Sequence, residues 1–264
     1  MPPPAERRLR FASLGSGSAG NATLIEYDGT CLMVDCGFSV KQTVARLARL
    51  ARTGEDLAAI LVTHEHSDHL GGVGVVARQF NLPVWMTPGT WRAAQGGSIG
   101  PLPDLRLFNC HERFAVGAIE VEPFPVPHDA EEPSQFVFGN GDRRIGVLTD
   151  TGASTPHIEA CLDGCDALLL ECNHDRDMLR DGPYPASLKA RVAGPRGHLD
   201  NDSAARLLRR IDSSQLRWLV AGHLSKTNNT PELARDALSA AFDCDPEWVR
   251  IADQERGLAW CVLD

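Results

Sequence analysis

"THEHSDHLGG", Thr63–Gly72, packs His64, His66, Asp68 and His69 into six residues. The plainest reading of such a run is a histidine-rich polar surface loop, and the rest of the chain has to decide between that and a metal site. In an extended segment, residues two apart point the same way, so His64 and His66 can turn their imidazoles toward one ion. If Asp68 and His69 then open a helix, the turn redirects them toward a second ion beside the first. The spacing therefore predicts a dinuclear site at a strand-to-helix junction.

Outward from this stretch the chain alternates strand-like and helix-like segments. "LRFASL" (9–14), "ATLIEY" (22–27), "CLMVDC" (31–36) and "AAILVTH" (58–64) are apolar and rich enough in strand-forming residues to be strands. "SVKQTVARLARLAR" places Val40, Val44, Leu47 and Leu50 at helical spacing, and "DHLGGVGVVARQF" reads as one further helix before the strand "PVWMT". A second strand block follows in "FAVGAIEVEPFPV", "QFVFG" and "RRIGVLT". The last third returns to alternation, with strands at "DALLLEC", "LRWLVAG" and "WVRIA" and helices between them. This order predicts an α/β chain, two mixed β-sheets face to face with helices on the outside. Polar residues fall at the strand ends: Asp35, His64, His128, Asp150 and His223. Five such ends would form a site along one edge of a sandwich.

Composition bounds the class. The chain has 264 residues and 43% hydrophobic content, enough for one large core, and we read residues 9–264 as a single domain. "MPPPAERR" (1–8) lacks the apolar core of a secretory signal and reads as a disordered tail. No apolar run approaches the roughly 20 residues of a membrane span. The eight cysteines are scattered through apolar segments, like small core residues of a reducing compartment. Together these predict a cytoplasmic protein with no membrane partner. Cys161 and Cys165 have no matching pair or histidine nearby, so they are not read as a zinc knuckle.

The net charge of -9 argues against a protein coated in basic residues for bulk nucleic-acid binding. Ala186 to Arg217 departs from this, with Lys189, Arg191, Arg196, Arg206, Arg209, Arg210 and Arg217 against three aspartates. Such a cluster is commonly a solvated helix face, but a positive lobe on an acidic protein also suits an anionic substrate. "GSGSAGN" (15–21) is either a phosphate-cradling loop or a tight turn, and it lacks a P-loop lysine.

The H-x-H-x-D-H motif, with Asp35 upstream and His128, Asp150 and His223 downstream in that order, resembles the metallo-β-lactamase fold superfamily. Within it, "LGSGSAGNATLIE", "HEHSDH", "VPHDA", "LTDTG", "ECNHD", "GHLDND" and "GHLSKTNN" are similar to the YycJ branch (also WalJ or VicX) of DNA-processing metallohydrolases, and they span Leu14–Asn229. The resemblance implies an αββα sandwich and two divalent metal ions, zinc, manganese or iron. It also implies a ligand set: His64, His66 and His128 on the first ion, Asp68, His69 and His223 on the second, and Asp150 bridging. Asp35 would support the histidine loop rather than bind metal. Redox di-iron relatives carry a carboxylate where His66 stands, and antibiotic-degrading members generally lack a histidine where His69 stands, so the motif points to hydrolysis.

The chemistry expected of such a centre is attack by a hydroxide bridging two cations, oriented by Asp68. His198, inside the basic lobe, is a candidate to protonate the leaving group. Asn21, His174, Lys189, Arg191, Arg196, Asn201 and Ser225 are candidate substrate contacts. The function expected first is a phosphodiesterase acting on DNA, a 5′ to 3′ exonuclease. A glyoxalase II-like thioester or lactone hydrolase would share every metal residue, and a non-catalytic metal-binding regulator is the third class.

Overall fold

The computed structural model describes residues 8–95, 97 and 99–264. Most of the expected tail, residues 1–7, lies outside them; Arg8 is described, and its guanidinium pairs with Asp264. The first sheet holds β1 (Arg10–Gly15), β2 (Ala22–Tyr27), β3 (Thr30–Val34), β4 (Leu57–Leu61), β5 (Pro83–Met86) and β6 (Asp104–Leu107). The second holds β7 (Phe114–Val116), β8 (Ile119–Pro125), β9 (Ser134–Gly139), β10 (Arg144–Leu148), β11 (Ala167–Glu171), β12 (Trp218–Gly222) and β13 (Arg250–Ile251). The last strand, β14 (Leu258–Val262), returns to the first sheet beside β1. Each sheet has seven strands, in the orders β14-β1-β2-β3-β4-β5-β6 and β13-β12-β11-β10-β9-β8-β7.

Alternation along the strands makes the layers. In β11, Ala167 and Leu169 join the core between the sheets, while Leu168 and Leu170 join the core beneath the helices. In β3, Leu32 and Val34 face inward and Cys31 and Met33 face the other helix layer. A strand with apolar residues on both faces must be covered on both. The outer covers are α1 (Val40–Arg49), α2 (Ser67–Leu70), α3 (Val73–Phe80) and α4 (Pro88–Gln95) on the first sheet's side of the chain. α5 (Pro156–Leu162), α6 (Arg176–Asp181), α7 (Ala186–Val192), α8 (Asn201–Leu208) and α9 (Pro231–Phe242) follow in the second half. Leu47, Val73, Val76 and Ala77 pack on one sheet, and Ile158, Leu207, Leu208 and Leu238 on the other. This is the expected αββα sandwich. Among the described residues no helix is long and apolar enough to cross a membrane.

Strand direction explains why the polar strand ends meet. β3 and β4 are parallel, as are β10, β11 and β12, so each set delivers its C-terminal ends to one edge. β8 is antiparallel to β9, and β9 to β10. Two reversals restore the direction, so the chain leaving β8 toward His128 emerges at the same edge.

Three local readings need correction. "DHLGGVGVVARQF" forms two helices, α2 and α3, with a break at Gly71–Gly72. The break is a packing requirement, because a Cβ on Gly72 would stand 1.8 Å from the Phe38 carbonyl oxygen. "WVRIA" contributes only Arg250–Ile251, since Pro246 starts a 3₁₀ turn that takes Trp248. In α1, Val44 is exposed and Arg46 is buried, because its guanidinium donates to the carbonyls of Leu14, Gln254 and Glu255.

Candidate metal centre

The stretch Thr63–Gly72 leaves the end of β4, and α2 begins at Ser67 with His66 as its N-cap. The turn is fixed from behind by Asn21, just ahead of β2, and by the chain that follows β3. Asn21 N donates to Asp68 O (2.8 Å), Cys36 N to His69 O (2.8 Å) and Gly72 N to Cys36 O (2.7 Å). A Cβ on Gly37 would fall 1.9 Å from Asp68 O, so only glycine permits this approach.

Four histidines share one arrangement, in which Nδ1 faces a protein group and Nε2 is left for the centre. His64 Nδ1 contacts Thr63 Oγ1 (2.9 Å), His69 Nδ1 contacts Asp35 Oδ2 (2.8 Å) and His128 Nδ1 donates to the Gly197 carbonyl (3.0 Å). His223 Nδ1 lies 3.4 Å from Glu171 Oε1. His66 instead turns Nδ1 inward, 3.2 Å from His128 Nε2. Holding one ring nitrogen fixes tautomer and orientation, as is usual for metal-binding imidazoles.

The inward atoms converge in overlapping sets. One donor atom each from His64, His66 and His128 lie within 4.8 Å of one another, and so do those of Asp68, His69 and His223. Asp150 joins a set with His64 and His69 and another with Glu171, His198 and His223, so it stands between the two triads. His64, His69, His128, Asp150 and His223 are buried, and His66 and Asp68 are half-buried at the mouth. Among the described residues, His64 Nε2 and Asp150 Oδ2 are buried without a hydrogen-bond partner; Asp150 Oδ2 is 3.0 Å from His69 Nε2 but poorly aligned. Orphaned buried donor-acceptor atoms at the focus of five imidazoles are what a divalent-ion site leaves when its ligand atoms are already in place.

The electrostatics agree. Burial, reinforced by His69, holds His64 well below the usual imidazole range and keeps it neutral, the form that binds metal. Burial would lower His69 and His223 as well, but Asp150 and Asp35 carry His69 well above its usual value, and Asp150, Asp68 and Glu171 push His223 up to about 10. Burial opposes ionisation of Asp150 and Asp68, yet His223 and His69 keep both carboxyls charged. The centre thus attracts positive charge as a unit, and a cation satisfies it as protons do.

Asp35 stands behind the motif: Oδ1 accepts from Thr63 N (2.8 Å), and Oδ2 from Thr63 Oγ1 (2.8 Å) and His69 Nδ1 (2.8 Å). Asp35, Asp150 and His223 all adopt positive φ, at 60°, 51° and 55°. Asp, Asn and His are the non-glycine residues that tolerate this region best, so the sharp turns off β3, β10 and β12 favour the residue types the centre uses.

A cavity of about 340 Å³ opens in front of the centre, and His66, Asp68, Asp150, His198 and His223 line it. His198 Nδ1 is bound to Glu171 Oε1 (2.7 Å), leaving Nε2 as its free ring nitrogen. Burial lowers its basicity, but Glu171 and Asp150 outweigh this and raise it. Glu171 was missed at the sequence level. It ends β11 as Asp35 and Asp150 follow β3 and β10, and the strand-end pattern applied to "DALLLEC" would have found it. Its carboxyl is lowered to about 2, burial being overcome by His198 and His223. Asp129, also missed, lies 3.5 Å from His128 Nε2 and 2.5 Å from Arg191 Nε.

The expected substrate contacts divide. Arg191 and Ser225 line the cavity. His174 and Asn201 do not: His174 is buried with Nδ1 3.3 Å from Asn173 Oδ1, and Asn201 exchanges side-chain hydrogen bonds with Asn229 (2.9 Å each). Asn21 is likewise buried, its amide held by Gly17 and set against Asp68 Oδ2 (3.3 Å) and His69 Nε2 (3.0 Å), so it positions both. Within "GSGSAGN", Asn21 is thus part of the scaffold, while Ser18 lines the cavity. The basic lobe is not turned to the cavity as a unit either. Lys189 Nζ donates to Arg180 O (2.6 Å), Arg210 pairs with Glu159 (3.1 Å), and Lys189 and Arg196 are absent from the cavity lining. A run continuous in sequence is divided by the fold among α7, a loop, α8 and the chain leading to β12.

Two mixed seven-stranded sheets under helices, with a histidine and carboxylate cluster at one edge, define a metallohydrolase-type αββα sandwich. Residues 30–220 match the model of the β-lactamase superfamily domain. The exodeoxyribonuclease YycJ of Bacillus anthracis is 39% identical over 237 residues, 89% of this chain and 89% of that protein. The exodeoxyribonuclease WalJ of Streptococcus pneumoniae serotype 2 is 37% identical, covering 87% of each. Among solved structures, the metallo-β-lactamase fold protein YhfI from Bacillus subtilis superimposes with a TM-score of 0.74 at 16% identity, over 97% of this chain and 100% of that one. The chain belongs to the β-lactamase superfamily, in the branch of YycJ and WalJ.

Proposed function

We propose that this protein is a metal-dependent phosphodiesterase that digests DNA from an end, in the 5′ to 3′ direction. The observation that carries the hydrolytic reading is the convergence of ring nitrogens described above, with four histidines held by Nδ1 and offering Nε2. The DNA substrate is supported by the similarity along nearly the whole chain to proteins named exodeoxyribonucleases.

His64, His66 and His128 would hold one divalent ion, Asp68, His69 and His223 a second, and Asp150 would serve both. Imidazole-rich sites suit zinc, and the two carboxylates also admit manganese or iron. Bound divalent ions supply an acidified water as nucleophile and neutralise charge building on the phosphoryl oxygens. The protein's own contribution is orientation and proton supply. Asp35 keeps His69 in one tautomer, Asn21 and Gly37 fix the backbone under Asp68, and Glu171 raises the basicity of His198, favouring the imidazolium whose Nε2 would give a proton to the departing oxygen. Arg191 and Ser225 stand at the cavity mouth, where the DNA backbone would pass. The eight cysteines are all unpaired, which fits a reducing compartment such as the cytoplasm.

The test sets end-labelled DNA beside a thioester, with metal-reconstituted protein. Stepwise shortening of the DNA, lost with a chelator and restored by manganese or zinc, is expected, with weak thioester turnover. Elemental analysis should reach two ions per chain. Rapid thioester hydrolysis with intact DNA would make the glyoxalase II-like reading the correct one, and a stoichiometry that never exceeds one would end the dinuclear assignment.

A further inference from the structure

The cavity in front of the centre has one wall that the chemistry above leaves unused. Tyr184, Leu188 and Val192 line it, and none of the three belongs to the hydrophobic clusters that hold the fold together. α7 buries no residue at all, so its apolar side chains are not spent on the core. Leu188 and Val192 are one helical turn apart and share a face. Tyr184 precedes them in "GPYP" (Gly182–Pro185), its backbone stiffened by a proline on either side. Arg191 stands at the same wall; its Nε is engaged by Asp129 (2.5 Å), and a guanidinium has further N–H donors to offer. The wall thus offers an aromatic ring, two aliphatic side chains and a cation to the same cavity that His66, Asp68 and Asp150 line.

A ligand matching this wall is amphiphilic, with a flat apolar face to lie on the tyrosine and an anionic group for the arginine and the centre. The cavity, at about 340 Å³, sits at the small end of ligand pockets, the size of one nucleotide rather than a duplex. We propose that Tyr184, with Leu188 and Val192, seats the terminal base of the DNA strand while Arg191 takes up an adjoining phosphate. The proposal rests on the nuclease reading and names the part of the substrate that its cavity selects. Because every base has a π face, such a seat requires a base at the strand end but is tolerant of which one.

The experiment compares two single-stranded oligonucleotides that differ only at the digested end, one with an intact terminal nucleotide and one with an abasic residue. Full-length metal-loaded wild type and Tyr184→Phe should cleave the intact end with at least about 10-fold higher kcat/KM, and Tyr184→Ala should bring that ratio toward one, mainly through KM. Binding gives a readout independent of turnover. With chelator present, a 2-aminopurine at the terminus should be quenched by wild type and Tyr184→Phe and not by Tyr184→Ala. Tyr184 lies outside every core cluster, so unchanged melting of the alanine variant shows that it is folded. A Tyr184→Ala protein that keeps both the full ratio and the quench overturns the base seat and leaves the nuclease reading standing. Wild type that leaves both oligonucleotides intact overturns both.

Discussion

At the scale of single residues, the centre depends on side chains whose partners are as well defined as their own positions. His198 shows this best, because Glu171 binds its Nδ1 at 2.7 Å and leaves Nε2 as the free ring nitrogen of a side chain that lines the cavity. If that nitrogen donates a proton to the leaving oxygen, the need for it scales with how poor the leaving group is. His198→Ala should therefore slow DNA cleavage by about 10²–10⁴-fold but slow a p-nitrophenyl phosphodiester far less, since nitrophenolate departs without a proton. Equal losses on both substrates would reassign His198 to a structural role. Asp35 offers the complementary case. Its φ of 60° is one that asparagine also tolerates, so Asp35→Asn changes the bond to His69 without forcing the backbone. We expect metal affinity to fall by about 10–100-fold, read by competition against a chelating dye, and the metal-free protein to melt at a lower temperature, because the buried pair with His69 loses its negative charge.

At the scale of elements, strands were more legible than helices, and for a physical reason. "ATLIEY" is β2 to the residue, because an apolar, β-branched run between turns leaves little freedom in where a strand sits. The helical pattern after Asp68 is equally regular, yet the helix breaks where the chain must pass within contact of Phe38, and a tertiary contact of this kind leaves only glycines as its trace. His174 and Asn201 show the same limit: their motifs resemble those of a site, but their side chains are hydrogen-bonded within the scaffold and do not line the cavity. Glu26 on β2 is a further tertiary fact hidden from sequence. Arg52, just beyond α1, grips it with two 2.7 Å bonds, Arg10 of β1 adds two more through Nε and Nη2, and both guanidinia lie over Trp260 of β14. Burial raises the Glu26 carboxyl, but Arg52 and Arg10 outweigh it and the net shift is downward from 4.5. A folded-state value below the unfolded one means stability that is present above about pH 4.5 and lost as pH falls through the lower, folded value. Glu26→Gln should accordingly cost about 2 kcal/mol at pH 7, roughly 5 °C in melting temperature. The difference from wild type should close as both are acidified below pH 4.5. A gap that persists unchanged at acid pH would mean the loss is one of packing rather than charge.

At the scale of the whole molecule, the order of motifs located the centre because both sheets deliver parallel C-terminal ends to the same edge, so residues spread from Asp35 to His223 become neighbours. Charge was less legible, since summing it along a segment ignores where the segment goes. The seven basic residues between Lys189 and Arg217 are parted by the fold, and Arg191 is the one among them that lines the cavity. On a chain of net charge -9, an approaching DNA strand meets general repulsion and needs a few placed cations. Each Lys or Arg that neutralises a phosphate releases a condensed counterion, which sets the salt dependence of binding at about -0.7 per contact on a single strand. Arg191→Ala should therefore weaken binding and flatten the plot of log affinity against log salt by about 0.7. Lys189→Ala and Arg196→Ala should leave that slope as it was, since neither parent residue lines the cavity. The measurement is fluorescence anisotropy of a labelled oligonucleotide across a salt series with the metal chelated. Should Lys189→Ala and Arg196→Ala flatten the slope as much as Arg191→Ala, the strand must run over α7 and the loop behind it rather than through the cavity mouth. Should none of the three alter it, the phosphates are met by another surface altogether, and Arg191 serves only to hold Asp129 beside His128.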